Sequence, residues 1–203
     1  MYTRLFSARI NPAKSSLETF IEWHHAPLST DLQKKIIAVH VASFIELYRD
    51  YSEEQLGLEF GVSKSKWLTQ VIKSELAEVN ERKLFLATVS VEDNVAGFII
   101  CAPVKPRHEN FKNDVYISTI AVKPLCDFKS RNKIHIGLGQ QLVKCIESRF
   151  PNANTITLDT RLINKPAMLF YERLGFNATG RRTLGGCNPD YYAGYEKSII
   201  KRF

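Results

Sequence analysis

Asn164-Lys165-Pro166-Ala167-Met168-Leu169-Phe170-Tyr171-Glu172-Arg173-Leu174-Gly175-Phe176 encodes a complete short helix with its start and stop signals. Asn164 is a good N-cap, because its short polar side chain can accept a hydrogen bond from an orphan first-turn amide. Pro166 brings the φ that a first helical turn wants. Gly175 sits where a left-handed C-terminal cap needs glycine. The spacing therefore predicts a helix over 166–174, with Phe170 and Leu174, four residues apart, facing the core. Ala167 is small enough to let a ligand or a strand come close. Tyr171 is the residue on this helix with chemistry to offer.

Upstream, Gly137-Leu138-Gly139 opens a second helix, predicted from Leu138, Leu142, Val143, Ile146 and Phe150 at helical spacing. It ends before Pro151, since the residue before proline avoids the α region. Glycines at a helix N-terminus let backbone N–H groups approach an anion, and the helix end carries about half a positive charge. The pair is neither G-x-x-x-x-G-K-[ST] nor a dinucleotide fingerprint with its third glycine. A tight turn that packs a helix on a sheet also uses such glycines.

The remaining chain alternates textures. Tyr2–Ile10 reads as an edge strand. Asp31–Tyr51 and Ser63–Asn80 read as buried-face helices, the first with Thr30 or Asp31 as N-cap. Leu84–Val91 and Val95–Cys101 are two strands joined at Glu92-Asp93-Asn94. Val115–Val122 and Thr155–Thr160 are further strands, and Phe176–Arg202 reads as two strands around a Gly/Asn/Pro loop. This order predicts an α/β or α+β layer architecture in a single domain spanning 1–203, with a largely helical N-terminal part over about 11–80.

The totals narrow the class. The chain has 203 residues, 44% hydrophobic and 24% charged, which suits one well-buried soluble domain. The net charge of +7 favours an anionic partner. Lys129, Arg131 and Lys133 form a small cluster, but no basic-aromatic stripe accompanies it, which argues against nucleic acid. Cys101, Cys126, Cys145 and Cys187 form no C-x-x-C pair and no metal-ligand spacing with histidine. Reduced thiols in a cytoplasmic protein, without a metal, are the expectation. The apolar stretch Ile36–Leu47 is too short and too polar to span a bilayer.

Taken together, these segments resemble the GNAT superfamily of N-acetyltransferases. Asn164–Phe176 matches the family's N-x-x-A-x-x-[FL]-Y-x-x-x-G-F at every defined position. Ile134-His135-Ile136-Gly137-Leu138-Gly139 is similar to the family's Q/R-x-x-G-x-G/A, with Ile134 in the first slot instead of glutamine or arginine. The resemblance implies a mixed, mostly antiparallel central sheet, splayed between two strands and flanked by helices. It implies a cofactor-binding core over about 84–176 and a C-terminal strand pair over 176–203. It implies acetyl-CoA as co-substrate, its pyrophosphate held by the amides of Lys133, Ile134, His135, Ile136, Gly137, Leu138, Gly139 and Gln140. The pantetheine arm would pair with the main chain of Ile120 and Val122, where strand 115–122 splays from strand 155–160. Asn164 would be a cofactor hydrogen bonder beside Ala167 and Phe170, and Tyr171 the general acid for the departing thiolate.

The implied reaction is direct attack of a primary amine, on a small molecule or a protein, upon acetyl-CoA. A lysine-like amine has a pKa of about 10.4 and must first lose a proton. His108, Glu109, Asp114 and Asp159 lie near the relevant strands as candidate bases. The acceptor groove would be formed by 50–66, with the acidic rim Asp50, Glu53, Glu54 and Glu59, and by 184–195, with Tyr191, Tyr192 and Tyr195. His24, His25, His40 and His135 read as structural or surface residues. A non-catalytic CoA-binding or regulatory module is the competing reading. The oligomeric state stays open, a dimer included.

Overall fold

In the computed structural model, residues 19–56, 58, 61–103, 114–124, 137–180 and 187–199 are described. The described elements run β1 (Thr19–His24), α1 (Thr30–Ile45), α2 (Lys64–Asn80), β2 (Phe85–Val91), β3 (Asn94–Pro103), β4 (Asp114–Val122), α3 (Leu138–Arg149), β5 (Thr155–Arg161), α4 (Lys165–Arg173), β6 (Asn177–Ala178) and β7 (Tyr192–Ser198). One seven-stranded sheet has the order β1-β2-β3-β4-β5-β7-β6. Every neighbouring pair is antiparallel except β4 and β5, which are parallel and joined through α3. This is the expected mixed, mostly antiparallel sheet with flanking helices.

Strand alternation explains the layers, because successive side chains point to opposite faces. Leu86, Phe98 and Ile100 pack with Ile36 and Val39 of α1 and Ile72 and Leu76 of α2. Ala87, Val89, Ile99 and Cys101 face the other way, onto Leu138, Leu142 and Ile146 of α3. Each fully buried aliphatic or Phe side chain contributes about 1.5–3 kcal/mol relative to exposure, so two apolar faces clamp the sheet. None of the described helices is long and apolar enough to cross a membrane.

Local signals mostly act as expected. Glu92 and Asp93 have φ of 48° and 64°, the two left-handed positions that a tight hairpin turn between β2 and β3 requires. Ser63 caps α2 by accepting from the Lys66 amide. The N-cap of α1 is Ser29, not Thr30 or Asp31: its Oγ accepts from the Leu32 amide. All three residues are capping types, and only the chain's entry angle chooses among them. α1 also stops at Ile45, short of the expected Tyr51. Strand β1 at 19–24 was not legible in the sequence. Its burial alternates over Thr19–Glu22, but Phe20 stands on the exposed face, so the apolar/polar alternation of TFIEWH is broken there. The expected strand at 2–10 lies outside the described residues.

Candidate active site

The β4–β5 ladder is short. Asp114, Val115, Tyr116 and Ile117 pair with Thr155, Ile156, Thr157 and Leu158. β4 then continues to Val122 and β5 to Arg161 without pairing to each other. The divergence begins at a bulge: Ile100 faces Thr119 and Cys101 faces Ile117, so Ser118 is the extra residue on β4. A bulge bends its strand and increases local twist, which turns the end of β4 away from β5. The resulting wedge opens into a cavity of about 690 Å³. Ile120 and Val122 line it. The Val122 carbonyl accepts from Ser43 Oγ of α1 at 2.9 Å.

The N-terminus of α3 reaches the same cavity through Gly137, Gly139 and Gln140. Gly137 has φ of +107°, a region that favours glycine. Ser29, Ser63 and Asn164 each cap their helix with a side chain, whereas Gly137 leaves the first-turn amides of α3 without a side-chain cap. That end therefore presents first-turn N–H groups with no side-chain cap among the described residues, at the positive pole of a 12-residue helix. Gly139 has a different task. A Cβ there would lie 3.0 Å from Phe170 Cζ and 3.2 Å from Cε2, so its bare backbone lets α3 close on α4. Leu138 is fully buried and does not line the cavity. Lys129, Arg131 and Lys133–Ile136 lie outside the described residues.

Helix α4 forms the next wall. Asn164 is buried and its Oδ1 accepts from the Ala167 amide at 3.1 Å. Pro166, Ala167, Phe170 and Tyr171 line the cavity. Tyr171 is 6% exposed, with its ring against Phe170, Phe176 and Tyr195 at centroid distances of 5.2, 5.6 and 5.9 Å. Burial pushes its phenol well above the ordinary range, so it stays protonated at neutral pH. Gly175, with φ of +83°, stops the helix as expected.

The candidate bases separate. Asp159 of β5 lines the cavity, and Tyr116 Oη donates to its Oδ2 at 3.4 Å. Asp114 is buried at the paired, opposite end of β4, outside this cavity. His108 and Glu109 lie outside the described residues. His40 is 3% exposed and lines the cavity. Desolvation lowers its pKa to about 4, against a smaller opposing effect from the Leu68 backbone, so it is neutral at neutral pH. His24 Nε2 lies 2.8 Å from Thr88 Oγ1 in the β1–β2 pair.

Asp50, Glu53 and Glu54 of the expected acidic rim do not line the cavity, and Glu59 lies outside the described residues. Asp50 and Glu54 are exposed, and Glu53 Oε2 accepts from the Gly61 amide. In their place stands an aromatic cluster around Arg161. Its guanidinium lies 5.8, 5.1 and 5.3 Å from the rings of Tyr48, Trp67 and Tyr192. It donates twice to the Leu56 carbonyl at 3.2 Å and once to Tyr192 Oη at 3.1 Å. Arg161 thereby ties the α1–α2 connection to β5 and β7 through charge-assisted bonds and cation–π contacts. Of the three expected tyrosines, Tyr192 lines the cavity, Tyr195 is buried beneath it and Tyr191 is exposed.

Glu75 of α2 also lines the cavity, and sequence reasoning overlooked it. A signal existed: it falls three residues after Ile72 and four before Val79, on the stripe that buries Leu68, Ile72, Leu76 and Val79. An acid on an apolar stripe asks for a reason.

The chain matches the family model described as the acetyltransferase (GNAT) family over residues 41–176. It belongs to that family, whose members are acetyl-CoA-dependent acetyltransferases. Solved structures agree in fold. A PaiA N-acetyltransferase from Thermoplasma acidophilum, in complex with coenzyme A, is 18% identical with a TM-score of 0.60, covering 89% of this chain and 99% of that one. An aminoglycoside 6'-acetyltransferase type Ii is 18% identical with a TM-score of 0.59, covering 90% and 99%. The ribosomal-protein-S18-alanine N-acetyltransferase from Escherichia coli is 17% identical with a TM-score of 0.54, covering 91% and 96%. No curated protein sequence matches.

Proposed function

We propose that the acceptor is a primary amine and that acetyl transfer proceeds by direct attack within the wedge between β4 and β5. The observation that carries this reading is the uncapped N-terminus of α3 opening on that wedge. Helix-pole amides with no side-chain cap fit a pyrophosphate, and the splayed strands leave room for an extended arm. Acetyl-CoA therefore fits the residues present. It supplies the activated acetyl group as a thioester.

In this reading the amides of Gly137, Leu138, Gly139 and Gln140 take the phosphates, continuing from Lys133–Ile136. Ile120 and Val122 flank the arm on one side, and Asn164, Ala167 and Phe170 on the other. Tyr171 donates its phenolic hydrogen to the departing sulfur. Desolvation raises the phenol's pKa, and it raises that of a thiolate in the same cavity as well, which keeps the transfer feasible. The aromatic wall of Tyr48, Trp67 and Tyr192 accommodates the acceptor. Amines on an aminoglycoside or a polypeptide N-terminus are acceptor types to test, since similar folds are named for them. Reduced thiols fit a cytoplasmic setting.

The test is calorimetry with acetyl-CoA, then thiol release with n-butylamine, spermidine, an aminoglycoside and an alanine-starting peptide. Tyr171→Phe should keep acetyl-CoA affinity and lose about 10²–10⁴ in kcat. Absence of saturable acetyl-CoA binding sinks the reading. Undiminished turnover of Tyr171→Phe removes the acid role.

A further inference from the structure

Glu75 points from α2 at the bulge that starts the wedge. Its Oε1 accepts from Ser118 Oγ at 2.7 Å and from Thr119 Oγ1 at 2.8 Å. Its Oε2 is buried and has no hydrogen-bond partner among the described residues. A carboxylate with one bare oxygen beside a cavity is a costly arrangement. The packing of α2 does not require it: an apolar residue would complete the stripe, and glutamine would still accept from both hydroxyls. A buried, half-satisfied acid in a cavity wall therefore points to use.

The surroundings favour proton uptake. Burial is the main influence and raises the Glu75 pKa, Glu78 on the same helix raises it further, and the two hydroxyls oppose. From α1, His40 contributes no charge at neutral pH. The phenols of Tyr48 and Tyr116 are pushed up by burial and stay neutral. β5 adds Asp159 and Arg161 to the same cavity, the latter committed to Leu56 and Tyr192. Ser118 and Thr119 are both part-exposed in the cavity wall, with their hydrogens directed at Glu75. Their remaining lone pairs are free to accept from an incoming N–H.

We propose that Glu75, acting through the hydroxyls of Ser118 and Thr119, removes the proton that the acceptor amine must lose before attack. The proposal rests on the acetyl-transfer reading above. An ammonium proton passes to a hydroxyl oxygen as that hydroxyl's own proton passes to Glu75. The freed nitrogen lone pair forms the N–C bond at the acetyl carbonyl carbon, and the C–S bond breaks with its electrons on sulfur. Sulfur takes the Tyr171 proton. The second nitrogen proton leaves to solvent, solvent reprotonates Tyr171, and Glu75 releases its proton to solvent. One proton is produced per turnover, as an ammonium acceptor requires.

Glu75→Gln in the full chain tests this, because the amide oxygen keeps both hydroxyl contacts and cannot take a proton. The probes are n-butylamine, an ammonium ion at neutral pH, and hydroxylamine, already a free base there. The proposal expects kcat/KM for n-butylamine to fall by about 10²-fold or more at neutral pH, with the acid-limb inflection of the wild-type pH profile replaced by a rise that continues toward the amine's own pKa of about 10.4. With hydroxylamine the fall should be about fivefold or less, since no proton need be removed first. Glu75→Asp should restore part of the n-butylamine rate, and it decides the matter if the Gln variant no longer binds acetyl-CoA. Equal losses with both amines, or no loss with either, overturn the proposal while leaving acetyl transfer intact. A wild type that fails to bind acetyl-CoA overturns the transfer reading and this role with it.

Discussion

Replacing Gly137 with Ala isolates a backbone effect at the mouth of α3. Among the described residues, a Cβ at this position would meet nothing closer than Gln140 Oε1 at 3.9 Å, so no side-chain clash arises with them. The cost is the left-handed φ of +107°, worth about 1–2 kcal/mol for a residue with a Cβ. That cost can surface in two ways. If the backbone holds its shape, folding stability falls by the full amount. If it relaxes, stability is partly spared, but the first-turn amides re-aim and ligand binding must restore the strained shape. The stability loss and the CoA affinity loss should therefore sum to about 1–2 kcal/mol, roughly up to thirtyfold if all of it appears in affinity. Gly175→Ala is the control. It has φ of +83° with nothing within 4 Å of its missing Cβ among the described residues, carries a similar strain, and lies outside the cavity wall. Its loss should appear wholly in stability. Denaturant unfolding and calorimetric CoA titration of both variants give the four numbers. The reasoning fails if Gly137→Ala loses under about 0.5 kcal/mol in total, or if Gly175→Ala weakens CoA as much.

Two further outcomes follow from the interior. His40 has a folded pKa of about 4 against 6.5, so the folded state binds fewer protons than the unfolded chain between these values. Stability contributed by neutral His40 is thus full above pH 6.5 and lost as pH falls toward 4, by about 3 kcal/mol at most; in urea melts across that window, His40→Gln should show a correspondingly shallower decline. In β3, a Cβ on Gly97 would lie 2.8 Å from the Ala121 carbonyl oxygen and 3.1 and 3.2 Å from Val122 and Val89. Gly97→Ala should cost about 1–3 kcal/mol, lowering Tm by several degrees, and an unchanged Tm would mean the β3–β4 spacing yields easily.

The segments that declared themselves in the sequence are those whose signals are local. Asn164, Pro166 and Gly175 form a cap, a first turn and a stop by chemistry acting within a few residues. The structure uses Asn164 and Gly175 in those roles. Gly137 at the mouth of α3 behaves likewise. The edge strand β1 was illegible because it is only six residues long and carries Phe20, an exposed aromatic, on the face where alternation would place a polar residue. The exact cap of α1 was illegible because Ser29, Thr30 and Asp31 are chemically near-equivalent there.

The sequence by itself determined the helices, the strands of the core and the tyrosine-bearing motif, because periodicity, caps and breakers are properties of neighbouring residues. Only the tertiary structure decided which acids meet the cavity. Glu75 and Ser118 are 43 residues apart, and they come together because α2 crosses the sheet where β4 bulges. The acids at 50–54 looked better placed by proximity in the chain. They face solvent because Arg161, 105 residues from Leu56, holds that connection against an aromatic wall. Long-range packing, which leaves no periodic trace in the chain, therefore governs the Arg161 side of this cavity.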